Sequence, residues 1–236
     1  MTFSMKRAYA IFQKDVKDLT KNLFVITTLL VPIILAVFYG TSGLHSLEAH
    51  YTVINLTFAA VAVFIQSALI AEEKEKNTLR GLMLSPATLT EILGGKSTLT
   101  FLFTIATIIV CTFLTGYEPS NVFVIGLAIL LSTVFYIALG TFIGLISKSV
   151  MEASVMVLPV MFIFGFGSVL QSFAEKYSAL ALLEYMPNVQ LLELAAFVEN
   201  GKGMVDLLGP IAIIAGWAIL SGVCVILMYR KRTLDD

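Results

Sequence analysis

The side chains that most often carry out catalysis are few in this chain. Its two histidines, His45 and His50, lie in one short polar connection, and its two cysteines, Cys111 and Cys224, lie inside long apolar runs. Cysteines in such runs are typical of small buried residues rather than of a disulfide or metal framework. The sequence has no His-Glu-x-x-His pattern. We therefore predict no metal site and no enzymatic activity in this chain by itself.

One segment imitates a nucleotide-binding motif. Gly94-Gly95-Lys96-Ser97-Thr98 resembles the end of a phosphate-binding loop, but the full pattern requires a glycine five positions before Gly95, where Thr90 stands. It also requires a buried strand in front, whereas the sequence here predicts a polar turn followed by a membrane span. We predict that this chain binds no nucleotide and no other cofactor.

The composition is that of an integral membrane protein. Of 236 residues, 58% are hydrophobic and 13% are charged, whereas a typical soluble domain is about 45–50% apolar and about 25% charged. The net charge of −1 gives no electrostatic basis for binding nucleic acid.

Six stretches are long and apolar enough to cross a bilayer, which takes about 20 residues. They are 23–40, 52–71, 97–116, 122–147, 153–170 and 206–229. Asp206, at an edge, is the one charged residue within them. Because a proton- or ion-driven carrier needs charged groups inside its spans, the energy source must lie elsewhere, or transport is passive. We expect polar residues in the spans, such as Gln66 and Thr104, to form hydrogen bonds between helices.

The basic residues predict the orientation. Thirteen of the fifteen lysines and arginines lie in residues 1–22, 72–96, 148–152 and 230–236, and the other two lie in residues 171–205. Since basic residues concentrate on the cytoplasmic side, both termini are expected in the cytoplasm. We predict one transmembrane domain over residues 1–236, because the longest segment outside the spans, 171–205, is too short for a soluble catalytic domain.

Three segments outside the spans have patterns of their own. Residues 1–22 contain an amphipathic pattern that predicts an interfacial helix, the alternative being a basic flank that only sets topology; its apolar positions are Ala8, Phe12, Val16 and Leu19. Residues 171–205 contain two apolar pieces of about ten residues, which predict an extracellular re-entrant hairpin.

The third segment, 72–96, is the most informative. A charged helical end is followed by apolar residues at helical spacing (Leu79, Leu82 and Met83) and by a break at Ser85-Pro86. Thr88 and Glu91 have the spacing of a capping box. We predict a short cytoplasmic helix whose apolar face binds a partner, or alternatively packs on its own bundle.

Prolines and small residues mark possible places of bending and close packing. Pro32 and Pro159 interrupt the first and fifth spans, which predicts kinks that serve either a gate or tolerated geometry. The pairs Gly140/Gly144 and Ala218/Gly222 predict close helix packing within the bundle. Candidate residues lining a substrate path are Phe38, Met156, Met161, Phe162 and Phe166, because Met and Phe adapt to varied apolar surfaces.

The segment Glu73-Lys74-Glu75-x-x-Thr78-Leu79-x-x-Leu82-x-x-Ser85-Pro86, between the second and third of six spans, resembles the membrane permease subunit of type-2 ABC exporters. The resemblance implies an all-α polytopic fold with six transmembrane helices, an N-terminal interfacial helix, a cytoplasmic coupling helix and an extracellular hairpin. It also implies two permease halves, identical or related, and two copies of a separate ATP-binding subunit that binds ATP and Mg.

Within that resemblance, Leu79 and Leu82 lie on the coupling helix that docks on the ATPase, and Glu73, Lys74 and Glu75 support it. The first and fifth spans line the interface between halves and the substrate route. The expected function is export of an amphipathic or hydrophobic substrate (a peptide, drug or lipid) across a bacterial cell membrane. The alternative is a passive channel or a structural membrane protein with no ATPase partner.

Overall fold

The computed structural model describes residues 5–19, 23–76, 89–167 and 178–235, and every regular element in those ranges is helical. The predicted all-α fold is therefore confirmed for the described chain. The helices are α1 (Met5–Leu19), α2 (Leu23–Ser42), α3 (Leu47–Glu75), α4 (Leu89–Thr115), α5 (Val122–Ile146), α6 (Val150–Val160), α7 (Pro187–Glu199) and α8 (Met204–Asp235), with a 3₁₀ segment at Ser178–Tyr185.

Four described helices are long and apolar enough to cross a membrane: Leu47–Glu75, Gly94–Thr115, Val122–Ile146 and Met204–Tyr229. The shorter apolar helices Thr27–Ser42 and Val150–Gly165 coincide with the predicted first and fifth spans. The count of six spans, the interfacial position of α1 and the re-entrant position of residues 171–205 stay predictions. The candidate span Gly94–Thr115 lies within a few residues of the predicted third span, and its helix α4 begins earlier, at Leu89, next to the capping pattern Thr88/Glu91.

Helix α3 is the centre of the bundle. Every residue from His50 to Ala71 is buried, and α3 packs against α2, α4, α5, α6 and α7. Its Gln66 confirms the expected hydrogen bonding between helices: it accepts from Thr100 Oγ1 of α4 at 2.7 Å and donates to Thr141 Oγ1 of α5 at 2.9 Å. Thr104 instead bonds to the Thr100 carbonyl of its own helix, so for this residue the prediction was wrong.

The glycines of α5 permit the closest packing on α3. A Cβ at Gly140 would lie 2.6 Å from the Val63 carbonyl oxygen, and one at Gly144 would lie 2.6 Å from Ile70 Cβ. This confirms the predicted close packing for that pair. The pair Ala218/Gly222 divides: Ala218 is buried in the core, whereas a Cβ at Gly222 would meet no atom within 4 Å, so close packing is not found at Gly222.

Two π-helical turns, which the sequence did not predict, face each other in the bundle. One interrupts α3 at Phe58–Val63, and the other continues α6 at Met161–Gly165, directly after Pro159. Proline cannot donate a backbone hydrogen bond, which explains a change of helical pitch at this place. Such turns are frequent at functional sites.

Candidate coupling site at one end of the bundle

The charged triplet Glu73-Lys74-Glu75 forms the last turn of α3. Successive residues of an α-helix point about 100° apart, so the three side chains reach three different neighbours. The end of the bundle that holds the triplet is called the triplet end, and the end with residues 116–121 and the start of α3 is called the far end.

Glu73 is the centre of an ion cluster made of Lys14, Asp15, Glu73 and Lys96. Lys96 Nζ donates to Glu73 Oε1 at 3.1 Å and to Asp15 Oδ1 at 3.0 Å, and Lys14 Nζ donates to Glu73 Oε1 at 2.5 Å. Lys96 is 0% exposed, Asp15 1% and Glu73 4%. The cluster therefore joins α1, α3 and α4 through three buried charges, with the exposed Lys14 at its edge.

Burial controls the charge state of Asp15. Desolvation raises the pKa of its carboxyl above the usual range, and the Lys96 ammonium opposes this rise. Its second oxygen, Oδ2, is buried without a hydrogen-bond partner among the described residues. Since a buried charge requires a partner, the ionised form of Asp15 depends on Lys96.

Lys74 reaches the end of α5 on another side. Its Nζ donates to the Leu145 carbonyl oxygen at 2.7 Å and also to the Ser147 carbonyl oxygen. The last carbonyls of a helix have no partner within the helix and carry partial negative charge. The Lys74 ammonium gives these carbonyls a hydrogen-bond donor and a compensating positive charge, and it thereby joins α5 to α3.

Glu75 reaches the start of α6. Its Oε2 accepts a hydrogen bond from the Val150 backbone N–H at 3.0 Å. The same helix start is capped by Ser149, whose hydroxyl accepts from the Glu152 N–H, while Glu152 accepts from the Lys148 N–H at 2.6 Å. The triplet thus contacts four helices: α1 and α4 through Glu73, α5 through Lys74 and α6 through Glu75.

The remaining predicted coupling residues, Thr78, Leu79, Leu82, Met83, Ser85 and Pro86, lie outside the described residues, so their roles stay predictions. Asp15 and Lys96 were missed. The signal that could have found Lys96 was a lone cation at the very edge of an apolar span, which requires a buried anion or an exit to water. The Gly94–Thr98 segment lies inside α4, and the described residues directly before it, 89–93, are helical and form no turn.

The inner face of helix α1 is only partly apolar. Phe12 and Val16 pack against the core, while the side chains of Ala8 and Leu19 lie outside the described part. The deepest described positions are Ile11 and Asp15. An acid belongs to the buried face because it meets Lys96.

The candidate path residues divide into two groups. Pro32 is buried, and Met156 and Met161 pack against the core. Phe38, Pro159, Phe162 and Phe166 are exposed on α2 and α6, and the Phe162 and Phe166 rings lie 6.3 Å apart. Their place on a substrate path stays a prediction.

At the far end, Tyr117, Ser120 and Glu199 form a hydrogen-bonded contact that the sequence did not indicate, called the latch. Glu199, at the end of α7, accepts hydrogen bonds from the Tyr117 hydroxyl at 3.1 Å, the Ser120 N–H at 3.3 Å and the Ser120 hydroxyl. The Ser120 hydroxyl is the main reason that the pKa of Glu199 lies below its ordinary value, and burial raises the pKa of Tyr117 to about 12. The latch fixes α7 to the connection between α4 and α5.

The hydrogen bonds and ion pairs of these residues join the helices to one another. Among the described residues no three His, Cys, Asp or Glu side chains come together in a way that could hold a metal ion.

Residues 49–227 match the family model described as "ABC-2 family transporter protein". No curated protein matches the chain. The matched range contains Glu73 and Lys96 but not α1.

Proposed function

We infer the function from one premise: the chain belongs to the ABC-2 transporter family, whose model covers residues 49–227. It is a multi-pass membrane protein and a membrane subunit that is not itself catalytic. We propose that it is the permease of an ATP-driven exporter in a bacterial cell membrane, with both termini in the cytoplasm. Two copies of an ABC ATP-binding subunit, which bind ATP and Mg, and a second permease half, identical or related, complete the transporter.

The observation that supports coupling is the set of bonds made by the charged triplet. In this proposal residues 77–88 dock on the ATPase through Leu79, Leu82 and Met83. Any displacement of that segment pulls on the end of α3, and the bonds of Glu73, Lys74 and Glu75 pass the displacement to α1, α4, α5 and α6. The ATPase shifts the permease between states only if it binds them with different affinity.

The proposed cargo follows from the lining. The exposed faces of α2 and α6 carry apolar side chains such as Ile34, Phe38 and Phe162. An uncharged lining favours amphipathic or hydrophobic cargo, such as a peptide, a drug or a lipid. The facing π-turns of α3 and α6 are the place where we expect the bundle to change shape.

Co-purification tests this function. The tagged chain, extracted from its native membrane, should retain an ABC ATP-binding subunit, and the complex should hydrolyse ATP. The variant Leu79→Asp/Leu82→Asp should insert normally but lose the subunit, because two carboxylates would enter an apolar contact. A matched control is Leu44→Asp/Leu182→Asp, which changes two exposed leucines on the predicted opposite side of the membrane.

Retention of the ATPase by the Leu79/Leu82 variant at the control's level would overturn the proposed docking segment. Uphill movement of solute by the purified chain without nucleotide would overturn the exporter proposal as a whole. Recovery of the chain alone, with passive solute leakage, would favour a channel.

A further inference from the structure

An apolar groove of about 800 Å³ lies between α4 and α5 at the far end of the bundle. Its deep wall includes Ile54, Ile108 and Ile125, all buried, and its rim includes Phe113 and Val122, which are 82% and 71% exposed. The volume is within the range of about 300–1,000 Å³ that is usual for ligand sites.

The groove is widened by a glycine. Gly126 of α5 lines it, and a Cβ at this position would meet no atom within 4 Å. The space beside Gly126 is therefore open, in contrast to Gly140 and Gly144 on the same helix, which contact α3. A side chain placed at position 126 would fill the groove without displacing a neighbouring helix.

The surroundings of the groove indicate which kind of molecule fills it. Both walls belong to helices long and apolar enough to cross a membrane, Gly94–Thr115 and Val122–Ile146. In the predicted membrane topology the open side of the groove faces bilayer hydrocarbon. A lipid acyl chain is the apolar ligand available along its whole length.

The polar end of the groove carries one negative charge. Glu118 is exposed in the connection between α4 and α5, and it is the one charged residue among those that line the groove. The neighbouring acid, Glu199, is already bonded to Tyr117 and Ser120. A carboxylate without a nearby lysine or arginine in the lining favours a cationic group and disfavours an anionic one.

We propose that this groove binds one aminophospholipid, with an acyl chain between α4 and α5 and its headgroup ammonium against the Glu118 carboxylate. None of the residues that line the groove belongs to α2 or α6, where the proposed substrate route runs. It requires neither the ATPase nor a second permease half, so it goes beyond the proposed function.

Native mass spectrometry of the purified chain tests the site. The protein is reconstituted with equal amounts of phosphatidylethanolamine and phosphatidylglycerol of matched chain length, and the lipid retained on release is counted. Wild type should retain one lipid, preferentially phosphatidylethanolamine. Gly126→Leu should lose it, whereas the control Gly216→Leu, at an exposed glycine of α8 with open space around it, should keep it.

The headgroup contact is tested by Glu118→Gln. This variant should retain lipid with the preference for phosphatidylethanolamine reduced by at most about fivefold, because an exposed ion pair contributes about 1 kcal/mol or less. Equal retention of both lipids by wild type, or lipid retention by Gly126→Leu equal to that of Gly216→Leu, would overturn the site. So would a disulfide between two copies of a Phe113→Cys variant, since a second chain would then cover the groove. None of these variants should change the recovery of the ABC ATP-binding subunit, so failure of the lipid site can be distinguished from failure of the proposed function.

Discussion

Removal of the Lys96 ammonium is the perturbation whose consequence the structure defines best. Lys96→Met keeps an unbranched apolar stem of similar length but deletes the charge that lies 3.0 Å from Asp15 and 3.1 Å from Glu73. Glu73 keeps Lys14 as a partner, so most of the cost falls on Asp15. Breaking a buried ion pair from one side costs about 3–5 kcal/mol, and we expect the lower end, about 3 kcal/mol.

The lower end is expected because the buried Asp15 carboxylate can become neutral by taking up a proton. Burial already raises the pKa of its carboxyl, and Lys96 opposes that rise, so removal of Lys96 raises this pKa further. A carboxyl with a raised pKa in the folded state favours folding at low pH and loses that contribution as pH rises through the folded pKa. The deficit of Lys96→Met should therefore be smaller in acid than at alkaline pH.

The assay is unfolding of the purified permease followed by the fluorescence of Trp217, the one tryptophan of the chain. The control is Lys148→Met, at an exposed lysine, which should stay within about 0.5 kcal/mol of wild type. The triple variant Asp15→Asn/Glu73→Gln/Lys96→Met should recover much of the loss, because a neutral set leaves no buried charge. A Lys96→Met variant as stable as the control, or a triple variant as unstable as Lys96→Met, would contradict the role given to the buried ion cluster.

Three further predictions use the same kinds of measurement. Lys74→Met should lower the free energy of unfolding by about 1.5–3 kcal/mol, the range for hydrogen bonds to charged groups. Lys76→Met should lower it by about 0.5 kcal/mol or less, because Lys76 is itself exposed and pairs with Glu72 one turn away; equal effects would contradict the role given to Lys74. Gly140→Ala should cost about 1–3 kcal/mol by overpacking against the α3 backbone, and Gly222→Ala should cost nothing, since its surroundings are open; thermal unfolding compares the two. The folded-state pKa of Glu199 is lowered, so its contribution to the free energy of unfolding is complete above its ordinary pKa and is lost as pH falls through the lowered value. Hydrogen exchange of the 116–121 connection should therefore rise in acid for wild type. A Glu199→Gln variant that shows the same rise would contradict the latch.

The fold followed from the sequence where the signal was local. Apolar runs gave the positions of the long helices, and the Thr88–Glu91 spacing agrees with a helix that begins at Leu89. The small residues Gly140 and Gly144 indicated close packing correctly. Each of these signals is carried by residues within a few turns of one another.

The sites that were missed depend on contacts between distant parts of the chain. Asp15 and Lys96 are 81 positions apart, and Tyr117 and Glu199 are 82 apart, so no periodicity joins them. The hydrophobic pattern of α1 carries no signal for the burial of Asp15, because that burial depends on the pairing with Lys96. The π-turns have no local signature except the proline that precedes one of them.

In the proposed transporter an ATP-binding subunit binds residues 77–88 and moves the bundle through the charged triplet. Photo-cross-linking in native membranes tests it most directly, with p-benzoylphenylalanine at Leu82 and, as the comparison, at Leu44 on the predicted opposite side. We expect a cross-link from position 82 to an ABC ATP-binding subunit and none from position 44. Cross-links from position 82 to lipid or to this chain alone would contradict it.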